Sequence, residues 1–202
     1  MTVKHFIPIM GGVKIDGILA EIEANPQLWD RHTARKTAPG GPHSQVSDIW
    51  IRYNDVAPFE SGERPWPELS NEHVPIWYPE VDSLPSLKPV ILDLMAIVRG
   101  EMLGGVIITK VPDGCVVDPH IDQGWHVDYY EKFYLQLKNS PGSTFSAFHD
   151  GKVETIEPVP GEIWLFDNHK IHWVENKSGD DRITVMIAIK TDVFGRYDEK
   201  LS

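Results

Sequence analysis

The chain has 202 residues, 41% of them hydrophobic and 24% charged, which fits one ordinary soluble globular domain with a sizeable core. A formal net charge of −11 disfavours nucleic acid as a partner, because phosphate binding needs a basic footprint. The single cysteine, Cys115, excludes an internal disulfide and thiolate metal clusters, so any metal must sit on histidine and carboxylate. No apolar run reaches membrane-spanning length, and Met1–Met10 lacks a basic region followed by a long apolar stretch. A cytoplasmic protein without a membrane partner is therefore expected.

In chain order, Val13 to Asn25 predicts an amphipathic helix, with Ile15, Ile18, Leu19 and Ile22 on one stripe. Ile49 to Tyr53 reads as a strand. The Pro-rich stretch from Asn54 to Ser83 holds Trp66, Trp77 and Tyr78, and its length predicts a functional lid. Ser86 to Arg99 predicts a second helix on Leu87, Val90, Ile91, Leu94 and Val98, with Pro89 in its first turn and Gly100 as the stop. Residues 1–103 thus form a helical and loop part.

From Gly104 to Lys190 the pattern changes to short strands: Val106–Val111, Cys115–Ile121, Lys132–Lys138, Thr144–Phe148, Lys152–Ile156, Glu162–Phe166, His172–Val174 and Arg182–Lys190. Turn signals such as Pro112-Asp-Gly114 and Pro160-Gly161 separate them. About eight antiparallel strands at this spacing predict a mainly β fold, a jelly roll of the cupin kind. In the last strand Ile183, Val185, Ile187 and Ile189 share one face, and Arg182 and Thr184 the other. In Lys132–Lys138 the apolar face is Phe133, Leu135 and Leu137, opposite Lys132, Tyr134 and Gln136. The apolar faces should lie under the helices and the mixed faces should line a pocket.

His120-Ile-Asp122, followed by His172 and then by Arg182 and Thr184, is the constellation that bears chemistry. Two histidines and a carboxylate in the order HxD…H form a facial triad, which leaves open positions on a non-haem Fe(II). On a strand His120 and Asp122 share a face, about 6–7 Å apart, a suitable bite for one metal. His169 competes with His172 for the third position; the ten-residue step from His172 to Arg182 favours His172. The plain alternative is that HxD is two solvated polar residues beside a turn. Arg182 presents a fork of donors suited to a carboxylate, with Thr184 on its face and the Tyr134 hydroxyl from another strand. Its alternative is a surface salt bridge with Asp180 or Asp181. Trp125, His126, Tyr129 and Tyr130 follow the HxD segment on an expected loop, and Trp125 and His126 are candidate substrate contacts. Arg52, Lys132 and Gln136 are further candidates, as donors to a substrate carboxylate or amide. His5, His32, His43, His73 and His149 have no comparable context.

Pro119-His120-Ile-Asp122, the Gly161–Asn168 stretch, His172-Trp-Val-Glu-Asn-Lys-Ser178 and Arg182-Ile-Thr184 together resemble the aspartyl/asparaginyl β-hydroxylase-type Fe(II)/2-oxoglutarate oxygenases. That group includes bacterial proline 3-hydroxylases, and the resemblance spans roughly residues 104–190. It implies a double-stranded β-helix, with His120, Asp122 and His172 on iron and Arg182 with Thr184 on the distal carboxylate of 2-oxoglutarate. The implied activity is O2-dependent hydroxylation of an unactivated C–H bond, on an amino-acid side chain that is free or within a peptide. Lys132-Phe-Tyr134 stands where the family often has Arg-x-His, so the second 2-oxoglutarate anchor is open, with Tyr134 the candidate. Asp122 places the chain with the full-triad branch and points to hydroxylation rather than halogenation. Two other readings stay open: a non-redox metal-binding cupin (a binding module or isomerase), and an oxygenase of nucleobases stacked on Trp66, Trp77 or Tyr78.

Overall fold

The computed structural model describes residues 5–38, 40–65, 68 and 72–194, and leaves out the side chain of Trp125. Two antiparallel sheets dominate it. The larger runs β1 (Phe6–Met10), β9 (Ile163–Phe166), β6 (Glu131–Lys138), β11 (Arg182–Lys190), β4 (Met102–Val111), β2 (Ser47–Tyr53) and β3 (Ile76–Trp77). The smaller runs β5 (Val116–His120), β10 (Ile171–Asn176), β7 (Ser143–His149) and β8 (Lys152–Ile156). The helices are α1 (Asp16–Ala24), α2 (Ala34–Thr37), α3 (Ala57–Glu60), α4 (Leu87–Ile97) and α5 (Trp125–Tyr129). None of the described helices is long and apolar enough to cross a membrane.

The alternation in β6 and β11 is realised as expected. Phe133, Leu135, Leu137, Val185, Ile187 and Ile189 lie in one buried cluster with Ile18 and Ile22 of α1 and Leu87, Ile91 and Leu94 of α4. Each such side chain contributes about 1.5–3 kcal/mol by leaving water, which fixes which face of the sheet looks inward. The opposite faces carry a second cluster, in which Tyr134 and Phe166 of the larger sheet meet Phe145, Ala147 and Val174 of the smaller. The sheets therefore close on each other as a double-stranded β-helix.

Several elements differ from the sequence expectation for identifiable reasons. β1 was not expected, since Pro8 interrupts its apolar run; it is an edge strand with a register shift between Pro8 and Met10, where a proline is tolerated. β4 begins at Met102 rather than Val106, so Gly104 and Gly105 are strand residues. A Cβ at Gly104 would lie 2.8 Å from the Tyr130 ring, and one at Gly105 would lie 3.0 Å from the Tyr53 ring. Both glycines make room for aromatic side chains. Gly104→Ala should cost about 1–3 kcal/mol by overpacking, read as a lower denaturant midpoint; an unchanged midpoint would mean that Tyr130 has room to shift.

α4 ends at Ile97, and the left-handed turn after it falls on Arg99 (φ 50°) instead of on Gly100. Gly100 donates its N–H to Met95 O at 2.7 Å. Its missing side chain serves packing, since a Cβ there would meet Ile189 at 2.6 Å. The 54–83 stretch is not a bare loop. It contains α3, β3 and a 3-10 turn at Pro79–Ser83. Asn54 ties its start to residues about two-thirds of the way along it, donating to Glu72 O at 2.7 Å and accepting from Val74 N at 3.2 Å. Trp66 lies outside the described residues.

Candidate metal centre and its cavity

His120 closes β5 and His172 opens the inner face of β10, and the two are direct cross-strand partners. Their rings lie 4.3 Å apart, tilted by 53°. Asp122 follows β5, and its backbone N–H donates to Asn168 O at 3.2 Å. The three side chains bring one ligand atom each to within 4.8 Å of one another. Asp122 Oδ1 faces both rings, 3.4 Å from His120 Nε2 and 3.9 Å from His172 Nε2.

The surrounding hydrogen bonds fix the protonation that a metal needs. His120 Nδ1 lies 2.7 Å from Asp118 O, and His172 Nδ1 lies 2.9 Å from Lys170 O. A carbonyl only accepts, so each Nδ1 carries the proton and each Nε2 offers its lone pair. Asp122 Oδ2 accepts from the Lys132 ammonium and, at 3.2 Å, from Asn168 Nδ2. Oδ1 is thereby left as the inward atom. Burial pushes the Asp122 carboxyl up, but Lys132, His120 and His172 together hold it well below its ordinary value.

His169, the competing histidine, is turned away. Its Nε2 is 2.9 Å from Asp128 Oδ1 and its Nδ1 is 3.3 Å from Asp167 Oδ1, so carboxylates occupy both nitrogens.

Beside the triad opens a cavity of about 540 Å³, walled by both sheets and by the N-terminal half. Arg182 lines it and is not a surface residue, being only 3% exposed, while Asp180 pairs with Lys138 at 2.7 Å. The salt-bridge alternative for Arg182 is thereby removed. Burial lowers its pKa to about 10, against the opposing effect of Tyr134, so it stays charged at neutral pH. Its guanidinium carbon sits 5.7 Å from the centroid of the Phe145 ring. Arg182 Nε and the Tyr134 hydroxyl are both buried without a hydrogen-bond partner among the described residues. Thr184 is also buried on the cavity wall. A buried cation beside an orphaned hydroxyl is costly unless an anion completes the set.

The other expected contacts divide. His126 lines the cavity, and Lys132 also reaches it, though its ammonium is engaged with Asp122. The side chain of Trp125 lies outside the described residues, on a helix (α5) where a loop was expected. Gln136 does not reach the cavity. Its amide donates to Lys138 O at 2.7 Å and Ile183 O at 3.0 Å, tying β6 to β11. Arg52 does not line the cavity either; its guanidinium carbon lies 5.2 Å from the Trp77 ring, and Lys88 sits at 5.0 Å from the same ring. Trp77 is held there and Tyr78 is buried against Trp50, so neither offers the cavity a stacking platform.

The N-terminal half supplies a further part of the wall that no motif in the sequence announces. Arg35, His43, Trp50, Tyr53 and His73 all line the cavity. The His43 ring stands edge-on to His120 at 5.2 Å, and burial pushes its pKa far down. The available signal for these residues was weak: an aromatic-rich strand and a basic, turn-rich segment just before it.

Burial also lowers His126 and His172 to about 4. The unfolded chain takes up these protons as the pH falls through about 6.5, while the folded sites stay neutral until about 4. Their contribution to stability is therefore complete above 6.5 and lost progressively toward 4. Denaturant melts of the metal-free protein across that window should show the decline, and a flat profile would contradict the neutral-imidazole assignment.

Solved structures with the same fold are distant in sequence. A prolyl-4-hydroxylase from Pseudomonas putida matches with a TM-score of 0.54 at 16% identity, covering 93% of this chain and 92% of its own. A prolyl hydroxylase from Trichoplax adhaerens, in complex with a hypoxia inducible factor oxygen degradation domain peptide fragment, gives 0.57 at 14%, over 93% and 84%. A 2OG-Fe(II) oxygenase family oxidoreductase from Burkholderia pseudomallei gives 0.53 at 12%, over 72% and 67%. No curated protein matches the sequence. Residues 75–191, more than half of the chain, match the family described as aspartyl/asparaginyl β-hydroxylase. The chain belongs to the aspartyl/asparaginyl β-hydroxylase family.

Proposed function

We propose that this chain is an Fe(II)- and 2-oxoglutarate-dependent hydroxylase that acts on an amino-acid side chain, free or within a peptide. The observation that carries the reading is the pairing of a His-Asp-His triad with the buried, uncompensated Arg182 on one cavity. The donor set suits the metal: two neutral imidazoles and one ionised carboxylate make a facial triad for non-haem Fe(II). A metal-binding cupin without redox chemistry has no need of Arg182.

When bound there, Fe(II), 2-oxoglutarate and O2 supply the oxidation: the co-substrate becomes succinate and CO2, taking one oxygen atom, and the substrate C–H takes the other. The protein binds, orients and shields. His120 Nε2, His172 Nε2 and Asp122 Oδ1 hold the metal, and Lys132 and Asn168 keep Asp122 ionised and aimed. Arg182 Nε, the Tyr134 hydroxyl and Thr184 take the distal carboxylate of the co-substrate, satisfying the two orphaned donors. Phe145, Phe166, Trp50 and Tyr53 wall off water from the reaction. A cavity of about 540 Å³ has room for the co-substrate together with a side chain or small molecule. That one structural neighbour carries a peptide fragment supports including peptides among the substrates tried.

The test is succinate formation above background across free amino acids, a random peptide pool, and single-stranded and duplex oligonucleotides. Turnover with the amino acids or the peptides is expected, with a product heavier by one oxygen. Turnover confined to the oligonucleotides, with the oxygen on a base, would overturn the reading.

A further inference from the structure

The N-terminal half places a second arginine on the cavity wall, with its side chain 21% exposed. Arg35, on α2, engages its surroundings through Nη1 alone. That nitrogen lies 3.0 Å from both Asp48 oxygens and 3.4 Å from Thr109 Oγ1. Asp48 is a fixed support: it is 3% exposed, and Thr109 donates to its Oδ1 at 2.7 Å. An end-on contact through one nitrogen leaves Nε and Nη2 without an acceptor among the described residues, although a guanidinium carries five N–H donors in a planar fork.

Two further observations place the Arg35 side chain on the metal side of the cavity. Charges on both Arg35 and Asp122 bear on His43 and on Tyr53, and His43 stands edge-on to His120. Arg182 interacts instead with Tyr134. The two arginines thus serve different parts of one cavity. The geometry points to Arg35, braced end-on by Asp48 and Thr109, as the anchor of a carboxylate on the substrate to be hydroxylated.

The inference rests on the hydroxylase reading and names its substrate class. Asp48 lies 3.0 Å from Arg35, and burial pushes its carboxyl pKa up against the lowering by Arg35 and Thr109, so the pair carries at most a single positive charge behind directed donors. That suits a planar monoanion such as a carboxylate better than a phosphate dianion. The cavity of about 540 Å³ must also hold the co-substrate, which favours a small acid or one acidic residue.

The experiment compares carboxylic acids with their neutral primary amides. The probes are the free amino acids and their α-amides, peptides with free or amidated C-termini, and peptides containing Asp or Glu beside the same peptides with Asn or Gln. Succinate formation should favour at least one class of acids over its amides by tenfold or more in kcat/KM, and the responding class identifies where the carboxylate resides. Arg35→Gln should remove that preference while keeping 2-oxoglutarate affinity and the absorption band that Fe(II) and 2-oxoglutarate develop together. Arg35→Lys keeps a cation for Asp48 and guards against loss of folding; it should also lose most of the preference, since its ammonium has no fork. Equal turnover of acids and amides, turnover of no carboxylate, or a preference that survives in either folded variant overturns the assignment. Absence of the band in the unaltered protein would instead sink the hydroxylase reading itself.

Discussion

His172→Ala should abolish Fe(II) and Co(II) binding, whereas His169→Ala should leave affinity within a few-fold of the unaltered protein. Removing a partner that only orients a metal ligand typically costs 10–100-fold in affinity, so losing a ligand outright should exceed about 100-fold. The two histidines lie three residues apart in sequence but differ in every relevant respect. His172 is 5% exposed, directs Nε2 toward Asp122, and donates Nδ1–H to Lys170 O. His169 has both nitrogens against carboxylates, Asp128 and Asp167. Titration with Co(II), followed by its visible absorption, separates the two variants. Retained binding in His172→Ala, with loss in His169→Ala, would refute the triad.

Arg182→Ala should leave metal content intact and raise the 2-oxoglutarate concentration needed for half-maximal rate by tenfold or more. A hydrogen bond to a charged group is worth roughly 1.5–3 kcal/mol, which is about 10- to 150-fold in affinity. Arg182→Lys should recover only part of this, because an ammonium cannot present the fork, and the missing volume lies beside Phe145. The substitution also removes a buried cation that has no ion-pair partner among the described residues, so the metal-free protein should not be destabilised as it would be by breaking a buried ion pair. Unchanged 2-oxoglutarate dependence in Arg182→Ala would show that the arginine serves another ligand.

How much of this was legible in the sequence depended on whether the signal was local. The period-2 alternation in β6 and β11 announced both the buried face and the cavity face, because side-chain direction along a strand is fixed by backbone geometry. The stripes of α1 and α4 were equally direct, and the HxD…H…R spacing brought together residues that the β-helix does juxtapose. What failed depended on neighbours far along the chain. The strand expected from Val106 leaves out Gly104 and Gly105, and the rings of Tyr130 and Tyr53 that explain glycine there come from elsewhere in the chain. Arg52 was expected at the pocket from its place on a strand, but β2 shifts register between Trp50 and Arg52, and the guanidinium goes to Trp77. Gln136 has the right parity on β6, yet its amide protons are used by backbone carbonyls next to the register shift between Ile183 and Thr184. Arg35 and His43 sit in a basic, Gly- and Pro-rich segment whose composition reads as loop. Only the contact with Thr109, 74 positions away, reveals Arg35 as part of the wall.

The central claim is that one cavity holds a facial iron site and a 2-oxoglutarate clamp, and anaerobic spectroscopy tests it most directly. Fe(II) alone should leave the protein colourless. Adding 2-oxoglutarate without O2 should raise a weak visible absorption band, the charge transfer expected when a 2-oxo acid chelates the metal. The band should saturate with one equivalent of Fe(II), vanish in His172→Ala, and require more 2-oxoglutarate in Arg182→Ala. Bound Fe(II) that gives no band at saturating 2-oxoglutarate would contradict the account and leave a metal-binding β-helix without this redox chemistry.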